Sequence, residues 1–107
     1  MLDSLQAMLI APASLADEAR TIALWTEAGL TRPWNDPVGD FVRAVKSRQA
    51  AVLLATEGQR LRGSVMVGDD GHRGWMYYLA VATADQRSGL GSALVGAAED
   101  WLAQRGQ

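Results

Sequence analysis

The pattern of apolar and polar positions predicts one strand and one helix at the start of the chain. Residues 4–10 form a short, mostly apolar run of strand length. Residues 14–28 then carry apolar side chains at helical spacing. Ser14 and Asp17 stand at the two positions of a capping box, and Gly29 supplies the C-terminal stop. We therefore expect a β-strand followed by an amphipathic helix.

A second helix is predicted after a loop over residues 30–36. Asp36 can serve as its N-cap, and Pro37 suits the first helical position. Apolar residues at i, i+3, i+4 and i+7 continue the helix to about Ser47.

The second half of the chain predicts three strands and a last helix. The strands cover residues 50–56, 61–68 and 75–82, joined by short turns typical of an antiparallel meander. A helix follows over residues 89–105, with Leu94 on its apolar face. The order strand, helix, helix, three strands, helix indicates an α+β fold of three layers around one mostly antiparallel sheet.

Composition limits the function classes. The chain has 107 residues, enough for one domain over residues 1–107, and its formal net charge of −2 gives no basic surface for nucleic acid. It contains no cysteine, which excludes a thiol nucleophile, a disulfide and a cysteine–zinc site. No apolar run is long enough to cross a membrane, and the sequence Met1-Leu2-Asp3 does not resemble a signal peptide. We expect a soluble cytoplasmic protein that binds neither nucleic acid nor membrane.

The most informative segment is residues 77–94, where a strand leads through a short loop into a helix opened by Gly89 and Gly91. Backbone N–H groups at a helix start lack intrahelical acceptors, and the helix dipole adds partial positive charge there. Hydrogen bonds to a charged group are worth roughly 1.5–3 kcal/mol each, more than the dipole, which contributes about 0.3–1 kcal/mol. Glycine permits the close approach that those bonds require, and Arg87 can add a charge-assisted contact. The segment predicts an anion cradle.

The two glycines would also suit a flexible loop followed by a tightly packed helix, and their pattern alone does not decide between this structure and a cradle. Nucleotide-binding motifs fit less well. The dinucleotide-binding fingerprint places a third Gly or Ala where this chain has Leu94, and no Walker loop is present.

The sequence Gln86-Arg87-Ser88-Gly89-Leu90-Gly91 matches the [QR]-x-x-G-x-[GA] signature of the GNAT superfamily of N-acetyltransferases. The element order β1-α1-α2-β2-β3-β4-α3 also resembles that family over residues 4–105. The resemblance implies a protein that uses acetyl-coenzyme A to acetylate a primary amine by direct attack on the thioester. The acceptor would be the amine of a small molecule or peptide, which the sequence does not identify.

The same resemblance implies the residues that bind acetyl-coenzyme A. The backbone of Leu79 and Val81 would pair with the pantetheine arm, and an N–H near them would polarise the thioester carbonyl. The coenzyme diphosphate would be held by the loop and the first turn of the last helix, comprising Gln86, Arg87, Ser88, Gly89, Leu90, Gly91 and Ser92.

The chain departs from the family after the last helix, because the usual β5-α4-β6-β7 segment is absent from the sequence. We expect an unpaired edge on the last strand, which a homodimer could cover. An alternative function is therefore a catalytically impaired module that binds coenzyme A or another protein. The intact loop from Gln86 to Gly91 favours the enzyme.

Acid–base and acceptor-binding candidates are individually weak. Glu27, near the end of the first helix, is a candidate base or a solvated helix residue. Tyr77 and Tyr78 should point to opposite faces of the strand, with Tyr78 as the second catalytic candidate.

Trp34 and Asn35 are candidates for contacting the acceptor, and Trp34 could instead cover the core. His72 lies in a turn with two acids, an arrangement too poor in ligands to predict a metal site. Trp25, Trp75 and Trp101 are most simply packing residues.

Overall fold

The computed structural model describes residues 8–106, which form a four-stranded antiparallel sheet in the order β1-β2-β3-β4. Each strand is joined to the next in the sheet by an antiparallel ladder. The strands are β1 (Met8–Pro12), β2 (Ala50–Glu57), β3 (Arg60–Asp69) and β4 (Gly74–Val81).

Three α-helices flank the sheet: α1 (Glu18–Glu27), α2 (Pro37–Lys46) and α3 (Leu90–Ala103). A 3-10 turn capped by Ser14 leads into α1, and the Ser14 N–H donates to the Asp17 carboxylate at 2.9 Å. The Asp36 side chain accepts the Gly39 N–H at 3.0 Å. The predicted Asp36 cap is therefore confirmed, and Pro37 occupies the first turn of α2 as expected, whereas Ser14 caps the 3-10 turn and Asp17 is the N-cap of α1 itself.

The sheet separates two apolar cores, which gives the three predicted layers. On one face α1 and α2 pack over a cluster that includes the fully buried Trp25 and Phe41. On the other face α3 packs through Leu94 and Ala98, which are also fully buried. Strand β2 is covered on both sides, which explains why its sequence is an almost unbroken apolar run.

The close approach of α3 to the sheet depends on a glycine in β3. A Cβ at Gly63 would lie 2.8 Å from Leu94 Cδ1 and 3.0 Å from the Ala80 carbonyl oxygen. Any larger residue would push α3 away from the strand, and α3 carries the predicted anion cradle.

The predicted element order is confirmed, with small differences at the boundaries. The first strand runs to Pro12 rather than Ile10, because the ladder with β2 continues to the Pro12–Leu53 pair. Residues 4–7 of that predicted strand lie outside the described residues. The last helix begins one residue after Gly89, which serves as its N-cap.

Strand β4 forms one edge of the sheet within the described part of the chain, as the sequence predicted. Leu79 is 44% exposed and Tyr77 is 62% exposed along this strand. The open edge, the loop that follows it and the start of α3 together form the region that carries the candidate site.

Candidate active site

The predicted cradle is a loop whose backbone turns its N–H groups toward solvent at the start of α3. Arg87 and Gly89 both adopt left-handed conformations, with φ of +67° and +86°. A left-handed conformation is rare for a residue with a side chain, and alternating backbone handedness produces anion-binding concavities. The loop is thus shaped as a small nest that continues into the helix.

The N–H groups of this loop are available to a ligand. Within residues 8–106, the N–H groups of Arg87, Gly89, Leu90, Gly91 and Ser92 have no protein acceptor. The first bond of the helix ladder runs from Ala93 N–H to the Gly89 carbonyl. Five amide donors therefore cluster at the positive end of the α3 dipole.

The space in front of these amides is open. Among residues 8–106, a Cβ built at Gly89 would meet nothing within 4 Å, and one at Gly91 would meet only Val81 Cγ2 at 3.9 Å. Packing therefore does not require either glycine, which argues against the tightly packed helix start as the reason for them. The positive φ of Gly89 is a second reason for glycine at that position.

A buried ion pair fixes the loop to the sheet. The Asp85 side chain is 2% exposed and pairs with the Arg62 guanidinium of β3, which also donates to Glu57 at 2.9 Å. The hydrogen bond from Arg62 holds the pKa of Asp85 below its ordinary value. The Asp85 carbonyl accepts the Ser88 N–H at 3.3 Å, so the same residue shapes the turn before Gly89.

The outer edge of β4 leads directly into this loop. Ala82 N–H donates to the Arg62 carbonyl at 2.8 Å, so the backbone groups of Ala82 face β3. Backbone groups alternate along a regular strand, and those of Val81 therefore face away from β3, whereas Leu79 lies where the ladder is irregular, between the Ser64–Ala80 and Met66–Tyr77 pairs. Within the described residues both lie on the edge strand that leads into the loop, and their pairing with a pantetheine arm stays a prediction.

A β-bulge at Tyr78 overturns one sequence expectation. Ser64 pairs with Ala80 and Met66 pairs with Tyr77, so β4 carries an extra residue, and Tyr78 has φ of +54°. Both tyrosines consequently point to the face covered by α1 and α2. The prediction that Tyr77 and Tyr78 lie on opposite faces was wrong, because period-two alternation fails at a bulge.

The bulge is held by a buried chain of side-chain hydrogen bonds. Trp25 Nε1 donates to Ser64 Oγ at 2.9 Å, and Ser64 Oγ donates to the Tyr78 carbonyl at 3.1 Å. The Trp25 and Tyr78 rings stack with their centroids 3.8 Å apart. Trp25 is therefore a packing residue, as predicted, and it also fixes the backbone beside the open edge.

A cavity of about 590 Å³ lies between α2 and β4 on that face. We call it the aromatic cavity; its lining includes Asn35, Asp40, Arg43, Trp75, Tyr77 and Tyr78. The Tyr78 hydroxyl donates to Asp40 Oδ2 at 2.6 Å, and Arg43 pairs with Oδ1 of the same carboxylate. Desolvation, followed by this hydrogen bond, raises the pKa of Tyr78 to about 12.

The loop between α1 and α2 places one of its two candidate residues in the lining of the aromatic cavity. Asn35 lines the aromatic cavity, whereas Trp34 is 80% exposed and is not among its lining residues. The alternative that Trp34 covers the core is therefore wrong. Contact of either residue with an acceptor stays a prediction.

Glu27 lies at the other end of β4 from the aromatic cavity. Its Oε2 accepts both the Thr83 N–H at 3.1 Å and the Thr83 hydroxyl at 3.2 Å. Glu27 thus joins the end of α1 to the start of the loop. Its role as a general base stays a prediction.

Sequence reasoning missed four residues that build this region. Arg62 and Asp85 lie 23 positions apart, and the only hint of their pairing was an acid directly before the glycine motif. Asp40 is an acid in the first turn of α2, and its sequence position gives no sign of a bond to Tyr78. Ser64 looked like a polar interruption of an apolar strand, a signal that a buried hydroxyl must find partners.

Neither a membrane span nor a metal cluster is found in the described part of the chain. No helix there is long and apolar enough to span a membrane. No group of three or more His, Cys, Asp or Glu side chains within residues 8–106 is arranged to hold a metal ion.

The family assignment rests on a match of residues 14–107 to the family described as "Acetyltransferase (GNAT) family". The chain therefore belongs to the GNAT acetyltransferase family. A curated acetyltransferase of Pectobacterium atrosepticum is 40% identical over 90 residues, covering 84% of this chain and 64% of the relative. The chain thus spans a little under two thirds of the length of that relative.

Solved structures show the same fold at low identity. A complex of the aminoglycoside N-acetyltransferase AAC(6′)-Iy with CoA has a TM-score of 0.77 at 14% identity, over 92% of this chain and 71% of that one. The ribosomal-protein-S18-alanine N-acetyltransferase of Escherichia coli has a TM-score of 0.77 at 20% identity, over 92% and 61%. These similarities confirm the α+β fold predicted from the sequence.

Proposed function

We propose that the protein is an N-acetyltransferase that transfers the acetyl group of acetyl-coenzyme A to a primary amine. The observation that carries the proposal is the group of five loop and helix-start amides that lack protein acceptors within residues 8–106, next to the open edge of β4. Family membership and the CoA complex of a structural neighbour support the choice of ligand.

The loop amides would hold the diphosphate. Five N–H donors, from Arg87 to Ser92, surround open space at a helix N-terminus, which suits a doubly charged group. The buried pair of Asp85 and Arg62 keeps these donors in position before the ligand arrives. Preorganised donors cost little reorganisation on binding.

The edge of β4 would hold the rest of the cosubstrate. The edge amides of Leu79 and Val81 suit strand-like pairing with the amides of a pantetheine arm. One of these N–H groups would polarise the thioester carbonyl, which makes the acetyl carbon electrophilic. In the transfer, the amine nitrogen bonds to that carbon, the carbon–sulfur bond breaks, the amine loses one proton and the sulfur gains one.

Two residues, Tyr78 and Glu27, were the candidates for acid–base roles. Tyr78 stays protonated at neutral pH, since its pKa is raised to about 12. It therefore serves as a hydrogen-bond donor to Asp40 and not as a base. Glu27 remains our candidate base for the acceptor, although its Oε2 already accepts two bonds from Thr83.

The structural neighbours differ in acceptor, since one acts on an aminoglycoside and another on the alanine of a ribosomal protein. The acceptor that we propose for this chain is a small-molecule or peptide amine. The relatives give no support to the alternative of an impaired binding module. A homodimer across the β4 edge and a cytoplasmic location remain predictions; the lack of cysteine is compatible with a reducing compartment.

Ligand-dependent stabilisation and turnover test the proposal. At a ligand concentration of 100 Kd, acetyl-coenzyme A should stabilise the protein by about 2.7 kcal/mol. Pantetheine, which lacks the diphosphate, should stabilise it far less at the same concentration. Thiol release in the presence of a panel of amines would then show the transfer. Equal stabilisation by both compounds, or none by either, would contradict the proposal.

A further inference from the structure

We infer that the aromatic cavity is the acceptor site and that it takes a singly charged amine with an aromatic body, in preference to a polycation. The inference rests on the proposed function for its reaction, and on the geometry between α2 and β4 for its chemistry. The cavity meets the open β4 edge at Tyr78, the residue before Leu79. An amine in the cavity would therefore face the place assigned to the thioester.

The wall formed by β4 is aromatic and fixed. The Trp75 and Tyr77 rings lie 5.4 Å apart at an angle of 45°, and Tyr77 is 62% exposed. The Trp75 ring lies directly on Gly68, where a Cβ would be 2.2 Å from Trp75 Cζ2. Two rings held in this way offer a flat body a surface for offset or edge-to-face packing.

The charge of the cavity limits the acceptor to about one positive charge. Asp40 is the one carboxylate in the described lining, and it is shared with Tyr78 and Arg43. Asp36, at the start of the same helix, does not line the cavity, and its charge acts on Tyr78 only from a distance. Arg43 is cationic, so a ligand with several ammonium groups would be repelled and would find only one acid.

The lining of the aromatic cavity therefore does not suit a polycationic aminoglycoside. A sugar with several charged amines requires several carboxylates and few bare rings. A primary amine on an aromatic group pairs one charge with Asp40 and places its apolar part against Trp75 and Tyr77, with cation–π attraction as a further contribution.

Binding of 2-phenylethylamine, measured by titration calorimetry with and without acetyl-coenzyme A, tests the inference. The protein should bind 2-phenylethylamine at least tenfold more tightly than tobramycin. Replacing the amine by the neutral 2-phenylethanol should weaken binding to the wild type, and Asp40→Asn should remove most of that difference. Tobramycin binding as tightly as 2-phenylethylamine would overturn the inference.

Variants of Tyr77 distinguish a contribution of its ring to amine binding from a general loss of structure. Tyr77→Ala should raise the Kd of 2-phenylethylamine about fivefold, whereas Tyr77→Phe should preserve it. Leu9→Ala is the matched control, because it truncates another exposed apolar side chain (62% exposed) on the opposite edge strand. An unchanged Kd in Tyr77→Ala would contradict the inference.

The two hypotheses fail separately. Amine binding without any acetyl-coenzyme A binding would contradict the proposed function and leave the cavity assignment standing. Acetyl-coenzyme A binding, together with turnover of tobramycin but not of 2-phenylethylamine, would overturn the cavity assignment and leave the proposed function standing.

Discussion

The loop before α3 and the aromatic cavity are built in opposite ways. The loop offers backbone amides, and its side chains serve to fix the backbone, as Asp85 does through Arg62. The cavity offers side chains, with Asp40 and Tyr77 presented by two separate elements. A site made of backbone needs only a conformation that many sequences can adopt, whereas a site made of side chains depends on each residue. The contrast would allow one chain to combine the general cosubstrate site and the particular acceptor site that we propose.

Gly89→Gln should give the largest difference between the two regions, by weakening binding at the loop and not at the aromatic cavity. A side chain at this position would enter the open space before the amides and strain a φ of +86°. Losing two hydrogen bonds to a diphosphate should weaken coenzyme A binding about a hundredfold, while 2-phenylethylamine binding stays unchanged. Titration calorimetry with each ligand measures both effects.

Gly71→Gln provides the control for Gly89→Gln. Gly71 has φ of +90° and also has nothing within 4 Å of its built Cβ, but it lies in the β3–β4 turn away from the loop. Equal loss of coenzyme A affinity in both variants would show that backbone strain, and not blocked access, is the cause.

Asp85→Asn should loosen the loop without touching the ligand. It removes the buried carboxylate partner of Arg62, which among the described residues keeps only its bond to Glu57, and should lower Tm by roughly 10 °C, with weaker coenzyme A binding. Replacing both partners, as Arg62→Met with Asp85→Leu, should recover part of the Tm but not the affinity. Thermal melts and calorimetry would test this; full recovery of affinity in the double variant would argue against a positioning role.

Ser64→Ala should lower the stability of the protein and its affinity for the acceptor at the aromatic cavity. It leaves Trp25 Nε1 and the Tyr78 carbonyl without their shared partner, at a cost of about 1–3 kcal/mol in the free energy of unfolding. The acceptor affinity should fall with it because the bulge positions both tyrosines. Urea unfolding measures the stability, and Asp100→Asn, on the exposed face of α3, is the control that should change neither quantity.

The smallest expected effects are changes of stability with pH. One occurs at acidic pH and involves Asp85, and the other occurs at alkaline pH and involves Tyr78. The pKa of Asp85 is lowered by Arg62, so its contribution is present above the ordinary aspartate value of 3.8 and is lost as the pH falls through the lower folded value. The pKa of Tyr78 is raised to about 12, so its contribution is present below the ordinary value of 10.0 and is lost as the pH rises toward 12.

Difference melts measure the two pH effects. The Tm advantage of the wild type over Asp85→Asn should shrink below pH 3.8, and that over Tyr78→Phe should shrink above pH 10. If the Tm difference between wild type and Asp85→Asn did not change with pH, the Asp85–Arg62 ion pair would not couple stability to pH. The same conclusion would hold for the Tyr78–Asp40 bond if the difference between wild type and Tyr78→Phe did not change.

The fold could be predicted from the sequence because its signals are local. Asp36-Pro37 starts a helix by its own chemistry, and the apolar run of β2 is typical of a strand covered on both faces. The position of the loop was also predictable from Gly89 and Gly91, whereas its interpretation as a cradle needed the resemblance to the GNAT superfamily. Each of these conclusions needs only residues close together in the chain.

The rest depends on contacts between distant residues. The bulge at Tyr78 is fixed by Ser64 and Trp25, which belong to other elements. The residues around Tyr78 carry no sequence signal that predicts a bulge. Asp40 lies 38 positions from the tyrosine whose hydroxyl donates to it. The missed bulge also hid the aromatic cavity, because strict alternation would have placed one tyrosine on the other face of the sheet.

Backbone amide shifts on titration with coenzyme A test the central claim most directly. In ¹⁵N-labelled protein, the amide signals of Gly89, Gly91 and Ser92 should move most, with smaller shifts at Leu79 and Val81, and pantetheine should move only the latter two. If coenzyme A shifts other amides and leaves those of residues 89–92 in place, the loop does not bind the diphosphate and the proposed function loses its basis.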